Sequence, residues 1–180
     1  MRAFAHARPV PAAVGRMPDP VLQPRAPGEQ PRATPLPVPD LSALEKRRDG
    51  INRAARRNEN DSGEGPLQVV LYALTGPDEA VHDQLAVARD HAAAVGLLVA
   101  DPPIVDTLDH IDARTGADNP LLRRGYARAL QMITGPGPVR GVVAASRTAV
   151  TASLYLYDAQ LTWYADQRAG LWLARSETEI

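Results

Sequence analysis

The chain contains no cysteine, and its longest apolar run has only nine residues, Ala92–Ala100. The first absence excludes a disulfide scaffold, thiol catalysis and cysteine-ligated metal centres. The second excludes a membrane-spanning helix, which needs about 20 predominantly apolar residues. Arg2 and Arg8 flank no continuous apolar run, because Pro9 and Pro11 interrupt it, so no secretory signal is predicted. We therefore expect a cytoplasmic protein without a membrane partner.

A large net charge is also missing, since the 180 residues sum to −1. The net charge is the sum of two segments that differ in sign. Residues 1–66 contain 11 basic and 8 acidic side chains, whereas residues 67–180 contain 9 basic and 13 acidic ones. The acidic balance of the second part excludes a strongly basic core built to lie on nucleic acid.

Proline is concentrated at one end of the chain, with ten of the 17 prolines in residues 1–39. Each proline fixes φ and removes a backbone donor, so neither a helix nor a central strand is predicted there. Large apolar side chains are scarce in the same segment. We predict a disordered, partly polyproline-II tail over residues 1–39. A short C-terminal tail is predicted over residues 176–180.

Residues 40–58 are predicted to form a basic amphipathic helix. The segment Ser42-Ala43-Leu44-Glu45 fits a capping box, in which the serine and glutamate side chains bond first-turn amides. One face carries an apolar stripe, formed by Leu41, Leu44, Ile51 and Ala55. The opposite face carries the candidates for nucleic-acid contact: Lys46, Arg47, Arg48, Arg53, Arg56 and Arg57. The alternative is a linker helix with a solvated basic face.

After a predicted flexible linker at residues 59–66, β-prone runs alternate with helical patterns over residues 67–175. The runs begin at Leu67, Leu97, Val139 and Leu171. Gly96 is expected to end the first helix, Asn119-Pro120 to begin the second and Ser153 to cap the third. The alternation predicts a three-layer α/β sandwich with a mainly parallel sheet of about four strands. Tyr157 and Tyr164 are predicted to pack in the core.

Motifs for cofactors and metals are weak. Thr75-Gly76-Pro77 has one glycine, too few for a dinucleotide fingerprint or a Walker loop. A polar loop contains one histidine and three acids, Asp106, Asp109, His110 and Asp112. It lacks a paired histidine spacing, so a solvated loop is predicted rather than a metal site. No cofactor is expected.

Several segments share the order and spacing of a known family. The first is Tyr72-Ala73-Leu74-Thr75-Gly76, followed by Asp78-Glu79 and Gln84-Leu85. Further pieces follow at Gly96–Ala100, Val105-Asp106, Asn119-Pro120-Leu121-Leu122, Val142–Ser153 and Gly170–Leu173. Together they resemble the catalytic domain of serine recombinases, the resolvase/invertase family, over residues 67–175. The resemblance implies a resolvase-like fold, and the activity of that family is site-specific DNA recombination by phosphoryl transfer.

The site residues of that family are largely replaced here. Gly76 stands where the resemblance places the nucleophilic serine, and the hydroxyl of Thr75 is expected on the opposite face of the strand. The positions of the family's phosphate-binding arginines are Leu74, Asn119, Ala149 and Ala152. Thr148 replaces the acid of an Asp-Arg pair. Asp106 is retained, and Arg147 is the only arginine left in its loop.

Losing a nucleophile and its charge stabilisers removes much of the transition-state stabilisation. The leading hypothesis is therefore a catalytically degenerate resolvase-like domain, acting as a DNA-associated accessory, regulatory or binding module. One alternative is an active recombinase with a shifted site such as Thr75, and another is a protein-interaction module without a DNA role. A family relationship predicts that Gly76, Asp106 and Arg147 lie at one edge of the sheet.

Overall fold

The computed structural model describes residues 38–62, 65–76, 80–108 and 118–178. Apart from its last two residues, the predicted tail at 1–39 lies outside this part of the chain. The described elements are α1 Leu41–Ser62, β1 Gln68–Thr75, α2 Val81–Ala94, β2 Leu98–Thr107, α3 Arg124–Thr134, β3 Val139–Ala144, α4 Arg147–Val150, α5 Leu154–Asp166 and β4 Gly170–Leu173.

The four strands form one parallel sheet in the order β2-β1-β3-β4. Alternate residues of β1 enter different cores, because successive strand side chains point to opposite faces. Val70 and Tyr72 pack with residues of α3 and α5, whereas Val69 and Leu71 pack with Ala88 of α2 and its neighbours. The α/β prediction with about four parallel strands is thereby confirmed.

Most of the predicted element boundaries are close to those observed. Gly96 has a φ of 70° directly after α2, as a helix-ending glycine requires. The Ser153 side chain accepts a hydrogen bond from the Leu156 amide and caps α5. Tyr157 and Tyr164 are fully buried, which confirms their place in the core. The four-residue helix α4 was not predicted.

Strand β2 is longer than the sequence pattern suggests. The run predicted to begin at Leu97 continues through Asp101-Pro102-Pro103, and the result is one ten-residue strand. Its register against β1 shifts, since Val70 pairs with Ala100 but Tyr72 pairs with Ile104. β2 therefore accommodates extra residues in an irregularity. An edge strand tolerates prolines in this way, because one side of its backbone makes no ladder bonds.

Helix α1 covers the other edge of the sheet and is not a separate linker. The Asn52 amide donates to the Leu171 carbonyl of β4 at 2.8 Å and accepts from the Leu171 N–H at 2.9 Å. The helix continues through Gly50 to Ser62, beyond the predicted end at residue 58. Its first turn is capped by Asp40, which accepts from the Ser42 amide, and not by Ser42.

The start of α3 also differs from the prediction. Asn119 acts as a cap, accepting from the Leu121 amide at 3.1 Å, but it caps a 3₁₀ turn over Pro120–Leu122. Arg123 is then extended, and the α-helix begins only at Arg124. Consequently Leu122 lies outside the α-helix and is exposed.

Candidate functional site

The ends of β1 and β3 line a small cleft of about 280 Å³ at the carboxyl edge of the sheet. The chain leaves these strands in opposite directions, towards β2 on one side and β4 on the other. Open parallel sheets bind ligands at such a point. The described lining residues are Leu74, Gln84, Leu108, Ala145, Ser146, Thr148, Ala149 and Arg175. They include three positions that the family resemblance assigns to a catalytic site.

The chemistry of this switch-point cleft is limited. The hydroxyls of Ser146 and Thr148 lie 2.8 Å apart, and Ser146 Oγ also accepts from the Ala149 amide. Among the described lining residues there is no carboxylate, histidine or lysine to act as a base. Thr75 is only 2% exposed, whereas its neighbour Leu74 lines the cleft. No nucleophile activated by a base is therefore found among these residues.

Asp106 is engaged in holding α3 in place. One carboxylate oxygen accepts from the Gly125 amide at 2.8 Å, and the other accepts from the Tyr126 amide at 2.9 Å. The Tyr72 hydroxyl donates to the second oxygen at 3.1 Å. Amides in the first turn of a helix lack intrahelical partners, and a negative charge there is stabilised by the helix dipole. Asp106 therefore caps α3 from a neighbouring strand.

Arg123 is a buried charge that the sequence analysis missed. Its side chain is 1% exposed and donates to the Ala149 and Val150 carbonyls, both at 2.8 Å, and to the Tyr72 hydroxyl at 3.4 Å. Burial raises the pKa of Tyr72, although Arg123 acts in the opposite direction. The available signal was spacing, because Arg123 continues the stripe of Tyr126 and Leu130 at intervals of three and four.

Arg147 is likewise buried in structural contacts. It donates to the carbonyls of Thr151 and Ala152, at 3.0 and 2.8 Å, and to the Glu177 carbonyl at 3.4 Å. Gly76, Asp106 and Arg147 follow or end adjacent strands and so lie along one edge of the sheet. However, the side chains of Asp106 and Arg147 bind different partners. They do not form a shared charged site.

Two arginines of α1 bind acidic side chains. Arg48 is 7% exposed and forms a two-point contact with Glu177, at 2.5 Å from Nε and 3.2 Å from the terminal nitrogen. The Tyr157 hydroxyl donates to the same carboxylate at 3.0 Å. Arg47 pairs with Asp158 on α5. Arg48 is therefore not available on an exposed basic face, contrary to its place among the candidates for nucleic-acid contact.

Three other basic residues of α1 lie on an exposed stripe. Lys46, Arg53 and Arg57 are separated by seven and four positions, which places them within about 40° of one another around the helix. With a rise of about 1.5 Å per residue, the stripe is about 16 Å long. We call these three residues the basic ridge.

A second cleft of about 440 Å³ lies between α1, α2 and the carboxyl end of β4, and we call it the α1–β4 cleft. Its floor is the Trp172 ring, which packs so closely on Gly141 and Gly170 that an added Cβ would approach the ring to 2.5 and 2.1 Å. The guanidinium of Arg56 lies over the ring, 6.0 Å from its centroid. The charged and titratable lining residues are Glu45, Arg48, Asp49, Arg53, Arg56, His91 and Arg175.

Metal and membrane sites are not indicated within the described residues. No group of three histidine, aspartate or glutamate side chains is arranged there to hold a metal ion. Asp109, His110 and Asp112, from the polar loop considered above, lie outside the described part of the chain. In the described ranges, no helix combines the length and the apolar character needed to cross a bilayer.

Comparison of the chain with models of known protein families, with curated proteins and with solved structures found no match.

Proposed function

We propose that this chain is a non-catalytic α/β domain that associates with nucleic acid through the basic ridge of α1. The observation that carries the proposal is the exposed line of Lys46, Arg53 and Arg57 on a helix fixed to the sheet. A row of cations along one face of a helix can contact several phosphates of a nucleic-acid backbone. The serine recombinase resemblance supports DNA as the partner.

The rigidity of α1 adds to this argument. Asn52 pairs with the backbone of β4, and Arg48 pairs with the buried Glu177, so the helix is held at two points along its length. A basic stripe on such a helix keeps its direction relative to the sheet. Binding phosphates then requires little ordering of the protein, which lowers the entropic cost of association.

Asp106, Arg147 and Thr75 lie at or beside positions that the family resemblance assigns to a catalytic site. Their contacts support the proposal that the domain is non-catalytic. Asp106 caps α3, and Arg147 binds backbone carbonyls. Thr75, which an active enzyme with a shifted site would use, is buried in β1. These arrangements favour the binding-module hypothesis over the shifted-site enzyme.

Binding is tested by measuring the affinity for fluorescent duplex DNA at several salt concentrations. The double variant Lys46→Gln/Arg57→Gln should bind more weakly, and its log Kd should depend less steeply on log salt, by about one unit for each lost phosphate contact. Arg124→Gln/Arg128→Gln, which removes two exposed arginines of α3, is the control matched in charge. Equal affinity and slope in the ridge variant and the wild type would refute the proposal.

Catalysis is tested separately with supercoiled plasmid DNA. We expect neither nicking nor a protein–DNA adduct on a denaturing gel. A covalent adduct that disappears in Thr75→Ala would instead establish the shifted-site enzyme.

A further inference from the structure

The α1–β4 cleft contains more cationic than anionic side chains. Arg53 and Arg56 enter it from α1, and Arg175 enters it from the segment after β4. Within the described ranges, none of these three arginines lies within 4 Å of a carboxylate oxygen. Of the two acids in the lining, Asp49 already lies 3.4 Å from Arg48. Four arginines and two acids line the cleft, and Arg48 is also paired with the buried Glu177, so a net positive charge remains.

The cleft also reaches the carboxyl edge of the sheet. Leu173 and the residues after it border the cleft at the carboxyl end of β4, and Arg175 lines both this cleft and the switch-point cleft. Trp172 is 3% exposed and locked against two glycines, and the Arg56 guanidinium lies over its ring. At least one cation is thus positioned before any ligand arrives.

His91 provides a further polar group at the α2 side of the cleft. The side chain is half-buried. Its pKa is lowered, first by burial and then by the positive charges of Arg48 and Arg56. The other charged groups lining the cleft are Glu45, Asp49, Arg53 and Arg175. An anion bound among the arginines would favour the protonated imidazole and raise this pKa again.

We propose that the α1–β4 cleft binds a phosphate group through Arg53, Arg56 and Arg175, with His91 beside it. Guanidinium groups from separate segments suit a tetrahedral anion with several acceptor oxygens better than a planar carboxylate with two. A volume of about 440 Å³ accommodates more than a bare phosphate. The bound phosphate belongs either to a nucleic-acid backbone or to a mononucleotide. If it belongs to a nucleic-acid backbone, the inference rests on the function proposed above.

The primary test is an NMR titration of the full chain with sodium phosphate, using sodium chloride of equal ionic strength as the control. The imidazole resonances of His91 should report an upward pKa shift with phosphate and not with chloride. Arg175→Gln should weaken phosphate binding roughly tenfold, since a charge-assisted hydrogen bond is lost. Arg53→Gln, at a second exposed position, should act in the same direction, and Arg128→Gln should have no effect.

Two further probes distinguish the source of the phosphate. Adenosine 5′-monophosphate represents the mononucleotide, and duplex DNA without terminal phosphates represents the backbone. A His91 response to either probe supports the inference and identifies the source. If phosphate, the mononucleotide and DNA all leave His91 unchanged, the inference is overturned.

The failure of this inference can be told apart from failure of the proposed function. Lys46 and Arg57 do not line the cleft, so DNA binding that depends on them, without a His91 response, retains the function and removes the phosphate site. A His91 response to phosphate in a chain that does not bind DNA would retain the phosphate site and refute the proposed function.

Discussion

Glu177 contributes a fully buried carboxylate that joins α1 to the segment after β4. Its side chain has no exposed surface and is bonded by Arg48 and Tyr157. Burial raises the pKa of Tyr157, and the charge of Glu177 raises it further, so the hydroxyl remains protonated and acts as a donor. The carboxylate thus has charged and neutral donors, and its burial depends on both.

Substituting Glu177→Gln should therefore destabilise the fold by about 3–5 kcal/mol, because Arg48 would remain buried without its counter-ion. Asp158→Asn is the matched control, since the Arg47–Asp158 pair is 38% and 42% exposed and should contribute less than about 1 kcal/mol. Urea unfolding followed by circular dichroism measures both. Equal losses in the two variants would show that the burial of the Glu177 pair has no energetic consequence.

Gly125 is the residue on which the Asp106 cap depends. A Cβ at this position would lie 2.8 Å from an Asp106 carboxylate oxygen and 2.8 Å from Ile104 Cγ2. Gly125→Ala should therefore cost about 1–3 kcal/mol in the free energy of unfolding. Gly50→Ala provides the contrast. It lies inside α1 with no atom within 4 Å of the added Cβ, and should stabilise the protein by about 0.5–1 kcal/mol. Destabilisation of both variants to the same degree would contradict this interpretation.

At the scale of elements, α1 occupies the position at which a further strand would pair with β4. Asn52 supplies one donor and one acceptor to Leu171, as a neighbouring strand residue would. Parallel sheets expose unpaired backbone groups at their edges, and covering an edge prevents pairing with other chains. The helix therefore completes the sheet as well as carrying the basic ridge.

Asn52→Ala should leave the N–H and C=O groups of Leu171 without partners, at a cost of at least about 2 kcal/mol. Asn58→Ala, an exposed position on the same helix, should change the unfolding free energy by less than about 0.5 kcal/mol. Chemical denaturation measures both variants, and light scattering should detect self-association of Asn52→Ala alone. A fully stable, monodisperse Asn52→Ala protein would argue against edge protection by α1.

The elements themselves were largely predictable, because apolar periodicity and capping residues are local signals. Gly96, Ser153, Tyr157 and Tyr164 were assigned correctly on this basis. The packing of α1 was not, because Arg48 and Asn52 occupy its buried stripe beside Leu44 and Ala55. Polar residues in such positions read as solvent-exposed until their partners are known, and Glu177 and Leu171 lie more than a hundred residues away.

The candidate sites were also only partly predictable, because their contacts join residues that are distant in sequence. Strand order placed Gly76, Asp106 and Arg147 along one edge, as the sequence pattern predicted. Their side-chain partners depend on tertiary packing and were not predictable. His91 lies in no motif that predicts a binding site, but it lines the α1–β4 cleft. This cleft is formed by segments distant in sequence, and no local motif marks it.

At the scale of the whole molecule, the basic helix and the α/β sheet share one core. Leu44 packs with residues on one face of the sheet, and Ala55 packs with residues on the other. A chain lacking residues 1–66 should therefore lose cooperative unfolding, since it would expose both clusters and leave Glu177 without Arg48. Removal of residues 1–37 should retain the transition. Thermal denaturation compares the two deletions, and a cooperative transition in the shorter chain would contradict a shared core.

The long sequence separation of these contacts has a consequence for synthesis. Asn52 and Arg48 are translated 119 and 129 positions before Leu171 and Glu177. A growing chain therefore makes α1 first and supplies the partners of its buried polar stripe last. Such non-local contacts slow folding, because loop closure precedes the stabilising interactions. Until Asp158 and Glu177 have been made, all five arginines of α1 and Lys46 are exposed to solvent.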